Sequence, residues 1–378
     1  MSELIITPIS KLSDIEKGIR FRIDLYKDNK YAIPPLVVDE LNTLNPKKNP
    51  AFEFCEAQNF LAMRGSQVVG RITGIIHHRA NETWNKKAVR FTFFDFIDDK
   101  EVSAALIRAV EEWGKAHGMN EIEGPLGFTD MDQEGMLIEG FDELGTMATF
   151  YNFEYYPKHI EALGFDKSAD WVEFAINIPK EIPERYVRVS EIVRKKFKLR
   201  NIKFNSVKEI VKAGYATKLF ELVNKSYSQL HGFTQMTQKQ IESYVKLYVP
   251  LLDPRLISLI VNEEDRLVGM GVAMPSLSQA LQKANGSLFP LGWFHLLKTL
   301  KWKHDGIVDL LIIAVDPEYQ GKGVNALLFT DLQTTFYEMG FKYAESNPEL
   351  ELNEKVQAQW EYFDYRQHKK RRAFKRSI

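Results

Sequence analysis

The sequence has a single cysteine, Cys55, among its 378 residues. One thiol cannot close an intramolecular disulfide, and no group of Cys and His has the spacing of a zinc site, so no metal is expected. A reducing compartment fits this cysteine usage. The sequence also lacks a run of about 18 apolar residues and a basic, apolar leader at its N-terminus. These absences exclude a small disulfide-stapled fold and favour a cytoplasmic protein.

The chain also lacks an excess of charge of one sign. Its 50 Lys and Arg residues nearly balance 51 Asp and Glu residues, which gives a net charge of −1. A chain with this balance shows no overall affinity for polyanions, and we expect no nucleic-acid partner.

Helical and strand periodicities alternate along the whole chain, which favours an α/β or α+β class. One order of elements occurs twice: strand, helix, hairpin, strand, helix, strand, helix and strand. The sequence therefore predicts two domains, 1–178 and 201–378, joined by a charged connector, 179–200. Two of the predicted helices are Glu209–Leu230 and Asn353–Tyr365.

The stretch Asp309–Leu328 carries the clearest chemical signal. An apolar strand is followed by a loop in which Gly321 and Gly323 flank Lys322, and then by a helix. Glycines allow a ligand to approach the backbone closely, and the free N–H groups at a helix start bind anions such as a pyrophosphate. Lys322 adds a positive charge and Gln320 an amide donor. The P-loop and dinucleotide-binding fingerprints are both absent.

This stretch resembles the acyl-CoA-binding motif of the GCN5-related N-acetyltransferase (GNAT) superfamily, Val-x-Pro-x-x-Gln/Arg-Gly-x-Gly-x-Gly/Ala. The matching residues are Val315, Pro317, Gln320, Gly321 and Gly323. Asn325 stands where the motif has Gly or Ala, so a side chain would approach the pyrophosphate. The resemblance implies that CoA is bound by Ile313, Ala314, Val315, Gln320, Gly321, Lys322, Gly323, Val324 and Asn325. It also implies that Asn353, at the start of the helix after the fifth strand, contacts the pantetheine arm.

The resemblance implies two GNAT-like domains, each a mixed, mostly antiparallel sheet flanked by helices. It also implies direct acyl transfer from acetyl-CoA or a longer acyl-CoA to an amine. Backbone groups of Ile313 and Val315 would then pair with pantetheine. The corresponding loop of the first half reads Asp98-Asp99-Lys100, without glycines, and its carboxylates would repel a pyrophosphate. We therefore interpret the first half as a degenerate copy that binds no CoA.

Several residues are candidates for proton transfer in the second half. Glu345 on the fifth strand is the first candidate for the base, and Asp309 is the second, although each also fits a salt-bridged strand residue. His231 lies in the loop after the first helix of this half, where GNAT acceptor-binding loops usually lie. Trp360 stands where the family often has a tyrosine acid, and Tyr362 is a nearby substitute.

Two further segments bear on the partners of the chain. The apolar and aromatic stretch 288–302, edged by lysines, is interpreted as an interfacial helix in peripheral contact with a membrane or as an acyl-chain channel. A lid or a packing helix is the alternative. The basic stretch Arg366–Arg376 is predicted to be a terminal strand with a solvated face; the 3′-phosphate of CoA, anionic lipid and RNA are its alternative partners.

The leading hypothesis is therefore an acyl-CoA-dependent N-acyltransferase whose active site lies in the C-terminal domain and whose acceptor is a small-molecule or lipid amine. One alternative is a non-catalytic acyl-CoA-binding or scaffold module. A second is an aminoacyl-tRNA-dependent transferase of the peptidoglycan-bridge type, which the balanced net charge disfavours.

Overall fold

The structure is a computed structural model that describes residues 2–230 and 232–378. The strands in chain order are β1 (Leu4–Ile9), β2 (Cys55–Arg64), β3 (Gln67–His77), β4 (Ala88–Phe96), β5 (Glu121–Gly124), β6 (Met136–Glu139), β7 (Asp166–Asn177), β8 (Arg200–Ile202), β9 (Ile257–Val261), β10 (Leu267–Pro275), β11 (Ile307–Val315), β12 (Tyr343–Ser346), β13 (Glu349–Leu350) and β14 (Tyr365–Ser377). The helices are α1 (Leu12–Leu25), α2 (Val37–Thr43), α3 (His78–Thr83), α4 (Lys100–Ala116), α5 (Tyr155–Ala162), α6 (Glu184–Phe197), α7 (Val207–Lys212), α8 (Tyr215–Tyr227), α9 (Gln238–Tyr248), α10 (Ser278–Ala284), α11 (Gly292–Lys301), α12 (Val324–Glu338) and α13 (Glu354–Gln357).

The chain forms two compact units that do not follow the chain in simple order. The first unit contains Met1–Trp171, Leu277–Leu296 and Lys369–Ile378, and the second contains Val172–Ser276 and Leu297–His368. The sequence-based boundaries, 1–178 and 201–378, assign each half of the chain to one domain. The units instead exchange segments, since Leu277–Leu296 and Lys369–Ile378 of the second half belong to the first unit, and residues 172–178 of the first half belong to the second.

The first unit is built on a sheet with the strand order β1–β2–β3–β4–β5–β14. Neighbouring strands are antiparallel except for the parallel pair β4 and β5. Helix α4 leaves β4 and presents an apolar face to the sheet, with Val102, Leu106 and Val110 fully buried. These residues belong to the core of this unit.

The second unit repeats this arrangement in the order β7–β12–β11–β10–β9–β8. The strands are again antiparallel except for one parallel pair, β11 and β12. Helix α12 leaves β11 as α4 leaves β4, and Val324, Leu327 and Leu328 are buried against the sheet. The predicted fold class, two mixed and mostly antiparallel sheets flanked by helices, is therefore confirmed.

Three predicted segments differ in detail. The helix expected over Glu209–Leu230 is divided into α7 and α8, because Gly214 adopts the left-handed conformation with φ of +77°. The helix expected over Asn353–Tyr365 is only α13 followed by a 3-10 turn, Ala358–Trp360. The connector, 179–200, contains a full helix, α6, whose Val193 joins an apolar cluster with α12.

The predicted solvated basic face of Arg366–Arg376 is wrong. The segment is a strand, β14, but Lys369 and Arg371 are each only 1% exposed. Within the first unit Lys369 donates to the carbonyl of Leu144, and Arg372 forms two hydrogen bonds to Asp170. The sequence shows that basic and apolar residues alternate along this strand. Whether the basic face is exposed to solvent depends on residues of other segments that contact it.

No helix in the described ranges is both long enough and apolar enough to cross a membrane.

Candidate functional site

The two parallel strands of the second unit separate halfway along β11. Residues Ile307–Leu310 pair with β12, whereas the pairing of β11 with β10 continues to Val315. A bulge accompanies the separation: Ile312 lies opposite Val272 and Leu310 opposite Ala273, so Leu311 is an extra residue in the ladder. From Leu311 onward, no strand in the described ranges pairs with the edge of β11 that faced β12.

Side chains engage the carbonyl groups of this open edge. Asn347 donates to Leu311 O at 2.7 Å, the Tyr227 hydroxyl donates to Ile313 O at 2.7 Å, and the Ser226 hydroxyl donates to Val315 O at 2.9 Å. Since a strand residue directs its N–H and C=O to the same edge, the N–H groups of Ile313 and Val315 also face the gap. The edge therefore offers amide donors at the two positions predicted to pair with pantetheine.

The loop after β11 leaves free space around its first glycine, Gly321. Gly321 has φ of +71° and no heavy atom within 4 Å of the position that a Cβ would occupy. Gly323 is the N-cap of α12 with φ of +83° and offers no side chain to the helix start. Within the described ranges, the backbone N–H groups of Gly321, Gly323 and Val324 donate to no protein acceptor. The exposed Lys322 adds a cation beside them.

Helix α6 lies against the same loop. A Cβ at Gly323 would lie 2.9 Å from Val189 and 3.0 Å from Val193, so this glycine is required by packing as well as by its backbone angle. Lys322 Nζ lies 5.4 Å from the ring centre of Phe197, at the end of the same helix. The helix predicted only as part of a connector thus forms one wall of the candidate site.

Asn325 departs from the GNAT motif, and its side chain has a partner in the protein. Its amide Nδ2 lies 3.3 Å from Gln359 Oε1, and Gln359 O accepts a hydrogen bond from the Tyr186 hydroxyl of α6. This contact ties the start of α12 to the segment after α13. Gln320, expected to serve as an amide donor, uses Nε2 to reach Val315 O at 3.1 Å.

Glu349, which follows β12 and lies in the same unit, is not among the residues predicted from the sequence. Its Oε1 accepts a hydrogen bond from the indole N–H of Trp360 at 3.0 Å. Its Oε2 is shielded from solvent and has no hydrogen-bond partner in the described part of the chain. Burial raises the pKa of this carboxyl to about 8, although the Trp360 hydrogen bond acts in the opposite direction. The only sequence signal was its place three residues beyond the fifth strand.

Glu349 also acts electrostatically on Tyr227, whose hydroxyl binds the open edge of β11. Burial raises the pKa of Tyr227 to about 12, and the negative charge of Glu349 adds to the rise. The phenol therefore stays protonated at neutral pH and remains a donor to the Ile313 carbonyl. Glu349 thus lies within electrostatic range of the gap beside β11.

The structure brings the two predicted carboxylates together and places Glu345 beside a histidine. Asp309 lies directly opposite Glu345 in the parallel pairing, and both are almost fully buried. The Glu345 carboxylate lies 2.8 Å from Nε2 of His368. This contact supports the alternative of a salt-bridged strand residue, while the predicted catalytic roles of Asp309 and Glu345 stay predictions.

The other predicted residues lie at several places. Asn353 is the N-cap of α13, as expected for an asparagine at the start of that helix. Tyr362 is partly exposed; its ring lies 4.3 Å from the Arg185 guanidinium and 5.8 Å from the Tyr186 ring. His231 lies outside the described residues. Among the residues that are described, no group of three or more His, Cys, Asp or Glu is arranged to hold a metal ion.

The residues around the loop fit a CoA molecule. The open space at Gly321, the free N–H groups at the start of α12 and the charge of Lys322 suit a pyrophosphate. The amide groups along the edge of β11 suit the amide-containing pantetheine arm. All of these groups belong to the second unit.

Comparison with known proteins gives two curated relatives over most of the chain. Protein YghO of Escherichia coli (strain K12) is 28% identical over 371 residues, which cover 97% of this chain and 93% of the relative. A bacterial ceramide synthase of Caulobacter vibrioides (strain NA1000 / CB15N) is 26% identical over 321 residues, which cover 84% of this chain and 82% of the relative. No protein-family model matches the chain.

Solved structures show the same fold. A tandem GNAT protein from the clavulanic acid biosynthesis pathway, solved without acetyl-CoA, matches with a TM-score of 0.55 and 13% identity. The match covers 99% of this chain and 98% of that protein. The predicted resemblance to tandem GNAT proteins is therefore confirmed at the level of the fold.

Proposed function

Because the chain has the fold of tandem GNAT acetyltransferases, we propose that it is an acyl-CoA-dependent N-acyltransferase with its active site in the second unit. The observation that carries this proposal is the open, bulged edge of β11, which leads directly into the glycine loop at the start of α12. The edge and the loop together provide donors for an extended amide chain that ends in a pyrophosphate.

The proposed roles of the chain's own groups follow from their positions. The N–H groups of Gly321, Gly323 and Val324, together with Lys322, hold the pyrophosphate. The N–H groups of Ile313 and Val315 orient the pantetheine arm along β11. A bound acyl-CoA supplies an activated thioester, and the bulge at Leu311 is the place where a backbone amide can stabilise negative charge on the thioester oxygen.

We propose Glu349 as the base that takes a proton from the attacking amine. One of its oxygens is fixed by Trp360. The other is buried and has no hydrogen-bond partner among the described residues, so it can accept a proton without first breaking a contact there. A carboxyl whose pKa is raised toward that of an amine is a stronger base than an exposed one. Glu345, the base first predicted, lies beside His368 and has to leave that partner before it can act.

The proposed acceptor is a long-chain lipid amine. The curated relative from Caulobacter is named a bacterial ceramide synthase, and ceramide is the N-acyl derivative of a long-chain amino alcohol. The open part of β11 is consistent with an apolar substrate, because Leu310, Leu311, Ile312 and Ile313 are all partly exposed in the middle of the strand. Side chains of this kind are usually buried in a protein core, so a row of partly exposed ones offers a surface to an apolar substrate.

CoA release tests this proposal. Purified protein is mixed with acetyl-CoA or palmitoyl-CoA and with sphinganine or a small soluble amine, and free thiol is measured together with the melting temperature. We expect an acyl-CoA to raise the melting temperature, and thiol release to require palmitoyl-CoA and sphinganine.

Two variants of one residue locate the site. Gly321→Glu places a carboxylate at the pyrophosphate, whereas Gly321→Ala carries the same backbone strain without the charge. We expect Gly321→Glu to weaken acyl-CoA binding about 10- to 100-fold relative to Gly321→Ala. Equal binding by both variants would place CoA elsewhere. Binding without thiol release for any amine would favour the acyl-CoA-binding module, and release that depends on aminoacyl-tRNA would favour the peptidoglycan-bridge alternative.

A further inference from the structure

The segment Ser287–Lys303, which contains α11, leaves five large apolar side chains exposed. They are Phe289 (78%), Trp302 (66%), Leu291 (61%), Trp293 (44%) and Phe294 (38%). Its other leucines are partly buried, namely Leu288, Leu296, Leu297 and Leu300. In α11 itself only Gly292 is buried. A soluble helix of this composition normally covers one apolar face with protein, so an apolar surface of this kind marks an interaction site.

The charges of the same segment have one sign. Lys298, Lys301 and Lys303 lie in and just after the last turn of α11, and no Asp or Glu occurs from Ser287 to His304. Tryptophan occurs near each end of the helix, as Trp293 and Trp302. Lysine and tryptophan are the residues that settle at the boundary between lipid headgroups and acyl chains, where one part of the side chain is apolar and the other is polar.

We propose that the segment Ser287–Lys303 docks the protein on the surface of an anionic phospholipid bilayer. The helix has 10 residues and is therefore about 15 Å long, which is too short to span a bilayer but suits a helix lying in its surface. A second copy of the chain is a poorer occupant, because a symmetric contact through this surface brings the three lysines of each copy together. Anionic headgroups instead complement them.

Docking is independent of the proposed reaction, and vesicle sedimentation tests it without any substrate. The full chain is mixed with vesicles of phosphatidylcholine alone or of phosphatidylcholine with one third phosphatidylglycerol, and the bound fraction is measured at low and physiological salt. We expect binding to the anionic vesicles, weaker binding to the neutral ones, and a blue shift of tryptophan fluorescence on binding.

Two sets of variants separate the apolar and the charged contributions. Phe289→Ser with Trp302→Ser is expected to weaken binding on the order of tenfold or more. Changing Lys298, Lys301 and Lys303 to Gln is expected to weaken binding to anionic vesicles about fivefold per lysine, with little effect on the neutral ones.

Matched controls carry the same chemistry elsewhere on the surface. Ile5→Ser with Leu247→Ser removes two exposed apolar side chains, and changing Lys208, Lys212 and Lys246 to Gln removes three exposed lysines. The controls should bind vesicles as the unmodified chain does. Failure of the unmodified chain to sediment with either vesicle, or equal losses in the controls, would overturn the proposal. So would vesicle-free self-association that the Phe289 and Trp302 changes abolish, because the segment would then be a protein interface.

The acyl-CoA-induced shift in melting temperature, measured without vesicles, keeps the two proposals apart. Segment variants that keep this shift but lose vesicle binding support docking alone. A protein that binds vesicles but no acyl-CoA would overturn the proposed function and leave docking intact.

Discussion

The starts of α4 and α12 occupy the same place in the two units but present opposite surfaces to an anion. In the first unit the side chain of Asp99 caps α4 by accepting a hydrogen bond from Glu101 N, and Arg64 pairs with both acidic residues. In the second unit Gly323 caps α12 without a side chain. The same fold therefore caps the N–H groups of a helix start with its own carboxylate in one unit and leaves them available to a ligand in the other.

The strands before these helices differ in the same way. Both carry a bulge, at Phe93 in β4 and at Leu311 in β11. In the first unit protein groups occupy an amide as well as a carbonyl at the edge of β4: Phe96 N donates to the Tyr156 hydroxyl, and the Tyr155 hydroxyl donates to Phe96 O. Within the described part of the chain, the outward N–H groups of Ile313 and Val315 in β11 donate to no protein acceptor. The first unit therefore has a bulged strand like that of the second, but groups of the protein itself bind the edge of this strand.

The two units also contain buried carboxyl groups whose surroundings differ. In the first unit the buried carboxylate of Asp95 pairs with both Arg22 and Arg71, and Arg71 pairs also with Glu40. In the second unit Glu349 has one oxygen with no such partner. A network in which every charge is compensated supports the fold, whereas an unpaired carboxyl in a gap is suited to chemistry. The following predictions test this contrast.

The largest expected effect is on catalysis in the second unit. Glu349→Gln keeps the size of the side chain but removes the base, and we expect kcat to fall about 10²- to 10⁴-fold while acyl-CoA binding is retained. The rate of the unmodified enzyme should rise as pH passes through about 8, because only the ionised carboxylate accepts a proton. Thiol release measured across pH checks both points.

Glu345→Gln is the matched control for this change, since Glu345 lies beside His368. We expect it to lower kcat much less. A larger loss in Glu345→Gln than in Glu349→Gln would return the role of base to the residue first predicted. A rate that falls above pH 8 would make Glu349 a proton donor instead.

The next largest effect is on the stability of the first unit. Asp95→Ala leaves Arg22 and Arg71 buried without their shared counter-ion, and we expect a loss of about 3–5 kcal/mol in the free energy of unfolding. Urea unfolding measures it. The control Glu16→Gln removes an exposed pair with Arg20 and should leave the transition unchanged. A folded Asp95→Ala protein without thiol release would contradict a purely structural role for the network.

A smaller effect should appear in the pH dependence of stability. The folded-state pKa of Glu349, about 8, lies above the ordinary value of a glutamate, so the folded chain binds this proton more tightly than the unfolded chain. The contribution of this proton to the free energy of unfolding is fully present below about pH 4.5 and is lost as pH rises toward 8. We therefore expect Glu349→Gln to lose less stability than the unmodified chain between pH 5 and pH 9, by a few kcal/mol.

Urea unfolding of both proteins at the two pH values measures this difference, in which the contributions of all other titrating groups cancel. Parallel pH dependences would show that the Glu349 carboxyl ionises in the folded chain as easily as in the unfolded one.

The smallest effect concerns the closed helix start of the first unit. Asp99→Ala removes the cap of α4, and we expect a loss of about 1 kcal/mol in stability with no change in acyl-CoA affinity. Asp99→Asn keeps a capping oxygen and should recover most of the loss. Thermal unfolding with and without acyl-CoA measures both quantities. An altered affinity in Asp99→Ala would show that the first unit takes part in acyl-CoA binding.

Local patterns predicted much of the fold and part of the site. The strand, glycine loop and helix predicted around Asp309–Leu328 are observed in that order as β11, the loop with Gly321 and Gly323, and α12, because apolar periodicity and glycines act over short distances. The place of Asn353 at a helix start was also readable in this way. The role proposed for Glu349 could not be predicted from the local pattern. Its pKa depends on burial and on the hydrogen bond from Trp360, and the residues next to Glu349 in the chain indicate neither.

The sequence by itself therefore determined the order of elements, the repeat of one plan and the glycine loop after β11. The tertiary structure alone decided which segments complete each unit, that Lys369 and Arg371 of the basic strand β14 are buried, and that α6 covers Gly323. The physical reason is the range of the interactions. Periodicity and turn chemistry act between neighbours in the chain, whereas the partners of Arg372 and Gly323 lie more than a hundred residues away.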